Sequence, residues 1–225
     1  MAKIKDGLDE TLTFQPQRAR DVNGDYVGPA RGKSYETGLK DDWGDNLNAT
    51  LSLFRTEQNN LGVNTYGYIT GTSEYAYQSV NSVSRGVEFE VNGALTDNWE
   101  MTFGASRYIA EQRDGTAVKP ELPRTTAKVF TRYRLPMLPA LTVGGGVNWQ
   151  NHTWQDDVYG PQGSTYVEQG SYALVNLFSR YQVTKQLAVQ ANVNNLFDKA
   201  YYDYLGTYAV WGAPRSVSVS ANYSF

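Results

Sequence analysis

The chain contains 225 residues and carries a formal net charge of −3. This balance argues against a nucleic-acid partner, because domains that bind nucleic acid present a basic surface. Cysteine is absent, which excludes a disulfide framework and thiolate metal ligands. The sequence also lacks a run of ~18 apolar residues, so it predicts no transmembrane helix.

Residues 1–33 are predicted to be irregular, because Asn23-Gly24 and Pro29 are typical of turns. Residues 34–225 are predicted to form a single all-β domain. Apolar and polar residues alternate there in short runs, as expected for strands that present different faces to different surroundings. About nine such runs follow one another, separated by turn residues.

The connections between these runs alternate in length. Tight turns are predicted at Gly44-Asp45-Asn46, Thr96-Asp97-Asn98, Pro136–Pro139 and Thr184-Lys185-Gln186, and longer loops at about 59–82, 156–165 and 201–211. Short turns at one end and long loops at the other are typical of an antiparallel up-and-down transmembrane β-barrel. We therefore predict a barrel segment of about 9–10 strands.

Charged residues within the runs fall on the face opposite the apolar one. They are Glu88, Glu90, Lys128, Arg132, Arg134 and Arg180. A lipid-facing Arg or Lys at mid-depth costs ~2–4 kcal/mol, so this placement favours a wet or polar-filled interior. A soluble β-sandwich that serves as an interaction module would put the same charges on its outer surface, and it remains an alternative.

Four stretches resemble the barrel of TonB-dependent ferric-siderophore receptors. These are Gly32–Lys40, Ser84–Glu90, Asn194–Tyr202 (NNLFDKAYY) and Gly212–Arg215 (GAPR) before the closing Phe225. A weaker similarity, at Leu122–Thr126 and the strand after it, is to hydroxamate (coprogen-like) receptors. The resemblance implies the C-terminal part of a barrel of about 22 strands with a plugged lumen, in the outer membrane of a Gram-negative bacterium.

The resemblance also implies function and partners. The complete receptor would bind a ferric siderophore, its cargo rather than a cofactor, and import it in a TonB-dependent way. Its partners would be outer-membrane lipid, the plug domain and TonB complex of the full-length protein, and the barrel-assembly machinery through Phe225. This piece alone is expected to be transport-incompetent. A structural or assembly role, as a barrel-folding substrate or self-associating β-sheet, is a further alternative.

Aromatic residues crowd the long loops, among them Tyr66, Tyr68, Tyr75 and Tyr77. Some rings would form an interfacial girdle, notably Trp149, Tyr181 and Tyr223, whereas rings at the outer mouth would grip a bulky polar ligand. The predicted ligand-binding residues are Tyr108, Gln150, Trp154, Tyr166, Tyr202 and Trp211. No catalytic role is predicted, because His152 with Asp156 and Asp157 lacks a nucleophile motif such as G-x-S-x-G.

Overall fold

A computed structural model describes residues 5–43 and 46–225, and it describes only the backbone for residues 5–9 and Tyr66. The strands are β1 (Lys5–Gln15), β2 (Ala30–Trp43), β3 (Leu47–Tyr68), β4 (Tyr75–Thr96), β5 (Trp99–Gln112), β6 (Thr125–Arg134), β7 (Leu141–Gln150), β8 (Thr153–Gly160), β9 (Gly163–Gln169), β10 (Tyr172–Gln182), β11 (Leu187–Asn194), β12 (Tyr202–Leu205), β13 (Ala209–Trp211) and β14 (Ser216–Tyr223). Within the described ranges, no helix is long and apolar enough to cross a bilayer.

Ten of these strands form one antiparallel sheet in the order β1-β2-β3-β4-β5-β6-β7-β10-β11-β14. Each strand pairs with its predecessor in the sheet, and β1 and β14 lie at the two edges. The hairpins β8–β9 and β12–β13 are separate two-stranded sheets inserted into long connections. The predicted up-and-down topology is confirmed.

The sheet has an apolar face and a polar face, as the alternation predicts. On the polar face, Arg132 donates two hydrogen bonds of 2.6 and 2.7 Å to Glu100 on the neighbouring strand. On the apolar face, the rings of Phe89 and Phe103 lie 6.0 Å apart across β4 and β5. These contacts join neighbouring antiparallel strands, and the register keeps like side chains on the same face.

The apolar face is open rather than packed against a second sheet. Val217 and Val219 of β14 are 68% and 70% exposed, and their row would be dry in a sandwich. The soluble β-sandwich is therefore the wrong alternative. A sandwich needs two sheets facing each other across an apolar core, whereas the ten long strands here form one layer.

The N-terminal segment differs from its prediction. Residues 1–33 are expected to be irregular, yet Lys5–Gln15 forms strand β1, paired in continuous register with β2. The sequence of β1 has polar residues on both faces, so it lacks the alternation that reveals the other strands. The turn predicted at Gly44-Asp45-Asn46 falls partly outside the described residues, since the structure does not describe 44 and 45.

The region 59–82, predicted as a long loop, is largely a continuation of two strands. Strands β3 and β4 each contain 22 residues, and their hairpin closes at residues 69–74. A tilted strand crosses a bilayer in ~9–11 residues. About half of this hairpin therefore extends beyond the thickness of a membrane, at the end of the sheet that carries the long connections.

Two glycines of β7 make room for aromatic rings on the polar face. A Cβ atom on Gly144 would lie 2.5 Å from Phe178 Cε1, and one on Gly146 would lie 3.4 Å from Phe130 Cδ2. The rings of Phe130 and Phe178 stack above this strand with centroids 5.7 Å apart. The glycines thus permit a close approach that any larger residue would block.

Residues 16–29 fold onto the β3–β4 hairpin through one amide side chain. Gln17 Nε2 donates to the carbonyls of Gly28 and Asn60, and Gln17 Oε1 accepts from the Gly62 amide at 3.1 Å. Asn60 sits at a register shift of the hairpin and has a positive φ of 60°. Gln17 therefore forms hydrogen bonds with backbone groups at the bulge, where the regular pairing of the two strands is interrupted.

We predict that Gln17→Glu loosens this contact in the full-length receptor. The substitution keeps the shape of the side chain but places a carboxylate oxygen, which can only accept, against the carbonyl oxygens of Gly28 and Asn60. Hydrogen exchange of the Gly62 amide should therefore accelerate about tenfold, which corresponds to a loss of ~1.4 kcal/mol in the free energy of local opening. Gln186→Glu, in a turn at the opposite end of the sheet, is the matched control. Equal exchange of Gly62 in both variants would contradict the role of Gln17.

Candidate ligand vestibule

Two small hairpins stand side by side at the long-connection end of the sheet, which we call the rim. The Tyr159 amide of β8 donates to the Thr207 carbonyl between β12 and β13 at 2.7 Å. The Tyr202 amide donates to Gln169 Oε1 at 2.7 Å, and the Gln169 side chain is buried between them. These bonds hold the β8–β9 and β12–β13 hairpins as one surface.

Four of the six predicted ligand residues form two ring pairs on this surface. Trp154 and Tyr166 stack across β8 and β9 with centroids 6.1 Å apart. Tyr202 and Trp211 pair across β12 and β13 at 4.3 Å. Tyr166 and Trp211 are 54% and 64% exposed, so each pair keeps ring surface available to a ligand.

The other two predicted residues lie lower, on the main sheet. Tyr108 is near the end of β5, with the Arg124 guanidinium 5.1 Å above its ring, and Arg124 also donates to the Val118 carbonyl. Gln150 ends β7, opposite Tyr172 of β10. Among the described residues, ring contacts within the predicted set are limited to the two pairs above.

A second concave region, which the sequence does not reveal, lies where residues 16–29 meet the β3–β4 hairpin. Its volume is about 430 Å³, and its lining includes Arg18, Arg20, Tyr26, Glu74 and Tyr77. Arg20 lies 4.5 Å from the centre of the Tyr26 ring, and its Nη2 donates to the Tyr26 hydroxyl at 2.7 Å. The side chain of Tyr66 lies outside the described residues.

Two tyrosines at the rim have a raised pKa. Desolvation and the nearby Glu168 and Asp156 carboxylates raise the pKa of Tyr166 above its ordinary value. Burial and Asp203 raise the pKa of Tyr201. The Tyr166 hydroxyl is exposed and, in its protonated form, can donate a hydrogen bond to a ligand oxygen, whereas Tyr201 is buried.

His152 is exposed between β7 and β8, and Asp156 and Asp157 follow it on β8 with exposed side chains. Within the described part of the chain, no group of three or more His, Asp or Glu residues is arranged to hold a metal ion.

Residues 10–196 match the model of the TonB-dependent receptor-like β-barrel. The chain belongs to this family. It is 36% identical over 219 residues to the ferric-pyoverdine BN7/BN8 receptor of Pseudomonas putida. The aligned region covers 96% of this chain and 26% of that protein. It is 34% identical over 227 residues to the ferripyoverdine receptor of Pseudomonas aeruginosa, covering 96% and 28%.

The solved structures agree with the sequence relatives. The crystal structure of the Pseudomonas aeruginosa outer-membrane ferripyoverdine receptor bound to ferripyoverdine superposes with a TM-score of 0.86 at 32% identity, over 96% of this chain and 30% of that one. The chain thus spans less than a third of the relatives it matches. The family consists of transport receptors of the Gram-negative outer membrane; the narrower hydroxamate (coprogen-like) similarity stays a prediction.

With the family known, the long connections are assigned to the extracellular side and the short turns to the periplasmic side. The structure gives the family motif Asn194–Tyr202 a mechanical role that the sequence does not predict. Asn195 is 5% exposed and has a φ of 49°, which Asn tolerates better than most residues. Its Nδ2 donates to the carbonyls of Lys199 and Ala213, each at 3.0 Å, and its Oδ1 accepts from the Lys199 amide at 2.8 Å.

A further hydrogen bond fixes the same loop. The Arg215 amide donates to Asp198 Oδ1 at 2.8 Å, and Asp198 also has a positive φ, of 52°. The motif therefore fixes both ends of the loop that presents Tyr202 and Trp211. Asn195 and Asp198 support the vestibule by holding backbone groups, since the Asn195 amide group and Asp198 Oδ1 are bonded to the protein itself.

We predict that Asn195→Ala destabilises this loop in the full-length receptor. It removes three side-chain hydrogen bonds in a buried place, so the free energy of local opening of residues 196–213 should fall by about 3 kcal/mol. Hydrogen exchange measures this directly. The control is Asn194→Ala, whose side chain makes one 3.4 Å bond to Ser216 on an exposed face; comparable losses in the two variants would contradict the assignment.

Proposed function

We propose that this sheet is part of the wall of an outer-membrane receptor that binds a ferric siderophore and imports it in a TonB-dependent way. The observation that carries the proposal is the pairing of Trp154 with Tyr166 and of Tyr202 with Trp211 on linked extracellular hairpins. Flat rings with hydroxyl donors bind bulky polar ligands with little loss of side-chain entropy. The relatives named for ferric pyoverdine support this ligand class.

The two faces of the sheet support the remaining roles. The apolar face would contact outer-membrane lipid, and the polar face would line the lumen and meet the plug domain of the complete receptor. TonB would supply the energy for import, which involves no bond-making chemistry in this wall. We therefore infer that the chain is not an enzyme and that it needs the rest of the receptor for transport.

In the proposed vestibule, the rim pairs make the first contact and the lower residues act later. Tyr108, held under Arg124, and Gln150 lie nearer the membrane than the rim hairpins do. A ligand released from the rings would meet a cationic and hydrogen-bonding wall. The 430 Å³ concavity around Arg20 offers a further guanidinium beside the same entrance.

We predict that removing one ring pair weakens ligand binding by the full-length receptor. The double variant Trp154→Ala/Tyr166→Ala should raise the Kd for ferric pyoverdine about tenfold, which corresponds to ~1.4 kcal/mol. Fluorescence quenching on whole cells measures binding, and ⁵⁵Fe uptake in cells with and without TonB separates binding from import. Ferrioxamine B as a second probe tests the hydroxamate prediction.

The control is Trp149→Ala, because Trp149 lies on the apolar face of β7 and should not touch the ligand. Unchanged binding and uptake in the Trp154/Tyr166 variant, with the receptor present at wild-type abundance, would contradict the vestibule. Equal losses in the Trp149 variant would indicate a general defect of the barrel rather than a lost ligand contact.

A second candidate function is a role in assembly, favoured by the exposed apolar row of β14. Val219, Tyr223 and Phe225 are exposed on one face, and the last two rings contact each other edge to face at 5.2 Å. We propose that the barrel-assembly machinery recognises this row of side chains. The self-associating sheet is the competing form of this idea.

We predict that Phe225→Ser lowers the amount of full-length receptor in the outer membrane severalfold. Siderophore binding per folded receptor should stay at the wild-type level, because Phe225 lies at the end of the sheet remote from the rim. The outer-membrane yield and the binding stoichiometry give the two readouts. Wild-type yield of the Phe225→Ser protein would refute the assembly role.

A further inference from the structure

The apolar face carries a groove that its barrel topology does not require. A concavity of about 1000 Å³ lies over β6, β7, β10 and β11. Its floor is Gly145, the outward-facing residue at the middle of β7, which has no side chain. Gly145 pairs with Thr131 on one side and with Leu177 on the other, and Leu177 leans toward it.

Small residues continue the floor diagonally across four neighbouring strands. Thr131, Gly145, Ser179 and Ala191 lie on β6, β7, β10 and β11 and all line the concavity. At ~4.8 Å between adjacent strands, this floor is roughly 14 Å long. Larger apolar side chains form its walls, so the surface is a trough rather than a flat patch.

Two of the polar groups at the groove are hydrogen-bonded within the protein. Trp99 Nε1 donates to Thr131 Oγ1 at 2.6 Å, and Thr131 Oγ1 donates to the Glu100 carbonyl at 3.0 Å. The rest of the lining is mostly hydrocarbon and ring surface, with the hydroxyls of Tyr133 and Ser179 among it. Water is a poor occupant of such a site, because an ordered water needs two to four polar partners.

The groove runs from the middle of the apolar face to its periplasmic end. Trp99 is the first residue of β5 and Tyr133 the penultimate residue of β6, both next to short turns, and both line it. Trp and Tyr prefer the interface between headgroups and acyl chains. The lining comes from interior strands of the sheet, so the trough is complete without any further strand or the plug.

We propose that this groove holds an acyl chain of a phospholipid from the periplasmic leaflet. The inference rests on the proposed contact of the apolar face with the bilayer. Moving a chain from bulk lipid to the groove gains no hydrophobic energy, because lipid tails are as apolar as leucine. The gain comes from dispersion, because an acyl chain in the groove contacts protein atoms on three sides. The atoms that line the groove would lose these contacts if it stayed unfilled.

The test uses the full-length receptor in vesicles of phosphatidylethanolamine and phosphatidylglycerol that contain a phosphatidylethanolamine with a diazirine in its acyl chain. After photolysis, labelled residues are mapped by mass spectrometry. Labelling of the groove should exceed that of Val91 severalfold, because Val91 lies in the same cross-strand row as Val129 and Val147 but outside the groove.

Ser179→Phe fills the groove and should reduce its labelling to the level of Val91. Ala173→Phe is the matched control, because it adds the same ring to the same strand and face outside the groove. Ala191→Phe, on the neighbouring strand, repeats the test if the Ser179 variant does not fold.

Equal labelling of the groove and of Val91 would show that lipid surrounds the whole apolar face without a preference for the groove, and it would overturn the proposal. Cross-links to a second receptor copy through the groove also overturn it, because they name a different occupant. Labelling that is absent from the whole apolar face, Ala173 included, would instead contradict the proposed bilayer contact. The two failures are thus distinguishable.

Discussion

Every long strand of this protein has to satisfy its backbone hydrogen bonds with its neighbours while its two faces meet different media. A strand in lipid has no water to bond, so the ladder must be continuous across the membrane. The β6–β7–β10 pairings are continuous over their length, without a register shift. A slip of one residue would turn Lys128 and Arg132 toward the apolar face and Val129 toward the polar one.

The hairpins and loops of the rim are joined to one another in a different way, because no strand ladder connects them. Single amide side chains replace it: Gln17 ties residues 16–29 to the β3 bulge, Gln169 joins two hairpins, and Asn195 closes the last loop. An amide both donates and accepts and carries no charge, so it can be buried between backbone groups. The proposed ligand rings thus stand on supports that are polar but not themselves available to the ligand.

The sequence predicts those parts of the fold whose two faces differ. Val217 and Ser218 lie on the apolar and the polar face, and this alternation is why the main-sheet strands from β2 to β14 are predicted. The β8–β9 and β12–β13 hairpins overlap stretches that are predicted as loops. The part of β3 and β4 beyond the membrane has water on both sides, so Tyr, Thr and Gly appear there without a period and resemble a loop. Strand β1 escapes prediction because polar residues occur on both of its faces, so its identity depends on pairing with β2.

The candidate site is predicted in its chemistry but not in its geometry. Abundant loop aromatics indicate a ring-lined mouth, and they include Trp154 and Trp211. Which rings pair depends on the hairpin registers and on the bond between Tyr202 and Gln169, which no local pattern encodes. The separation of Tyr108 and Gln150 from the rim follows from the sheet, and the Arg20 concavity follows from a loop folding back over a distant hairpin.

The central claim is that one face of the sheet meets lipid and the other an aqueous lumen. The chain has no cysteine. Single cysteines from Ala127 to Tyr133 of β6 can therefore be introduced one at a time into a full-length receptor whose remaining sequence is free of cysteine, and spin-labelled in bilayers. Electron paramagnetic resonance then compares the accessibility of each label to oxygen and to a water-soluble nickel chelate. The account predicts high oxygen accessibility at positions 127, 129, 131 and 133 and high nickel accessibility at 128, 130 and 132. Accessibility without this period of two, or with the two faces exchanged, would contradict it.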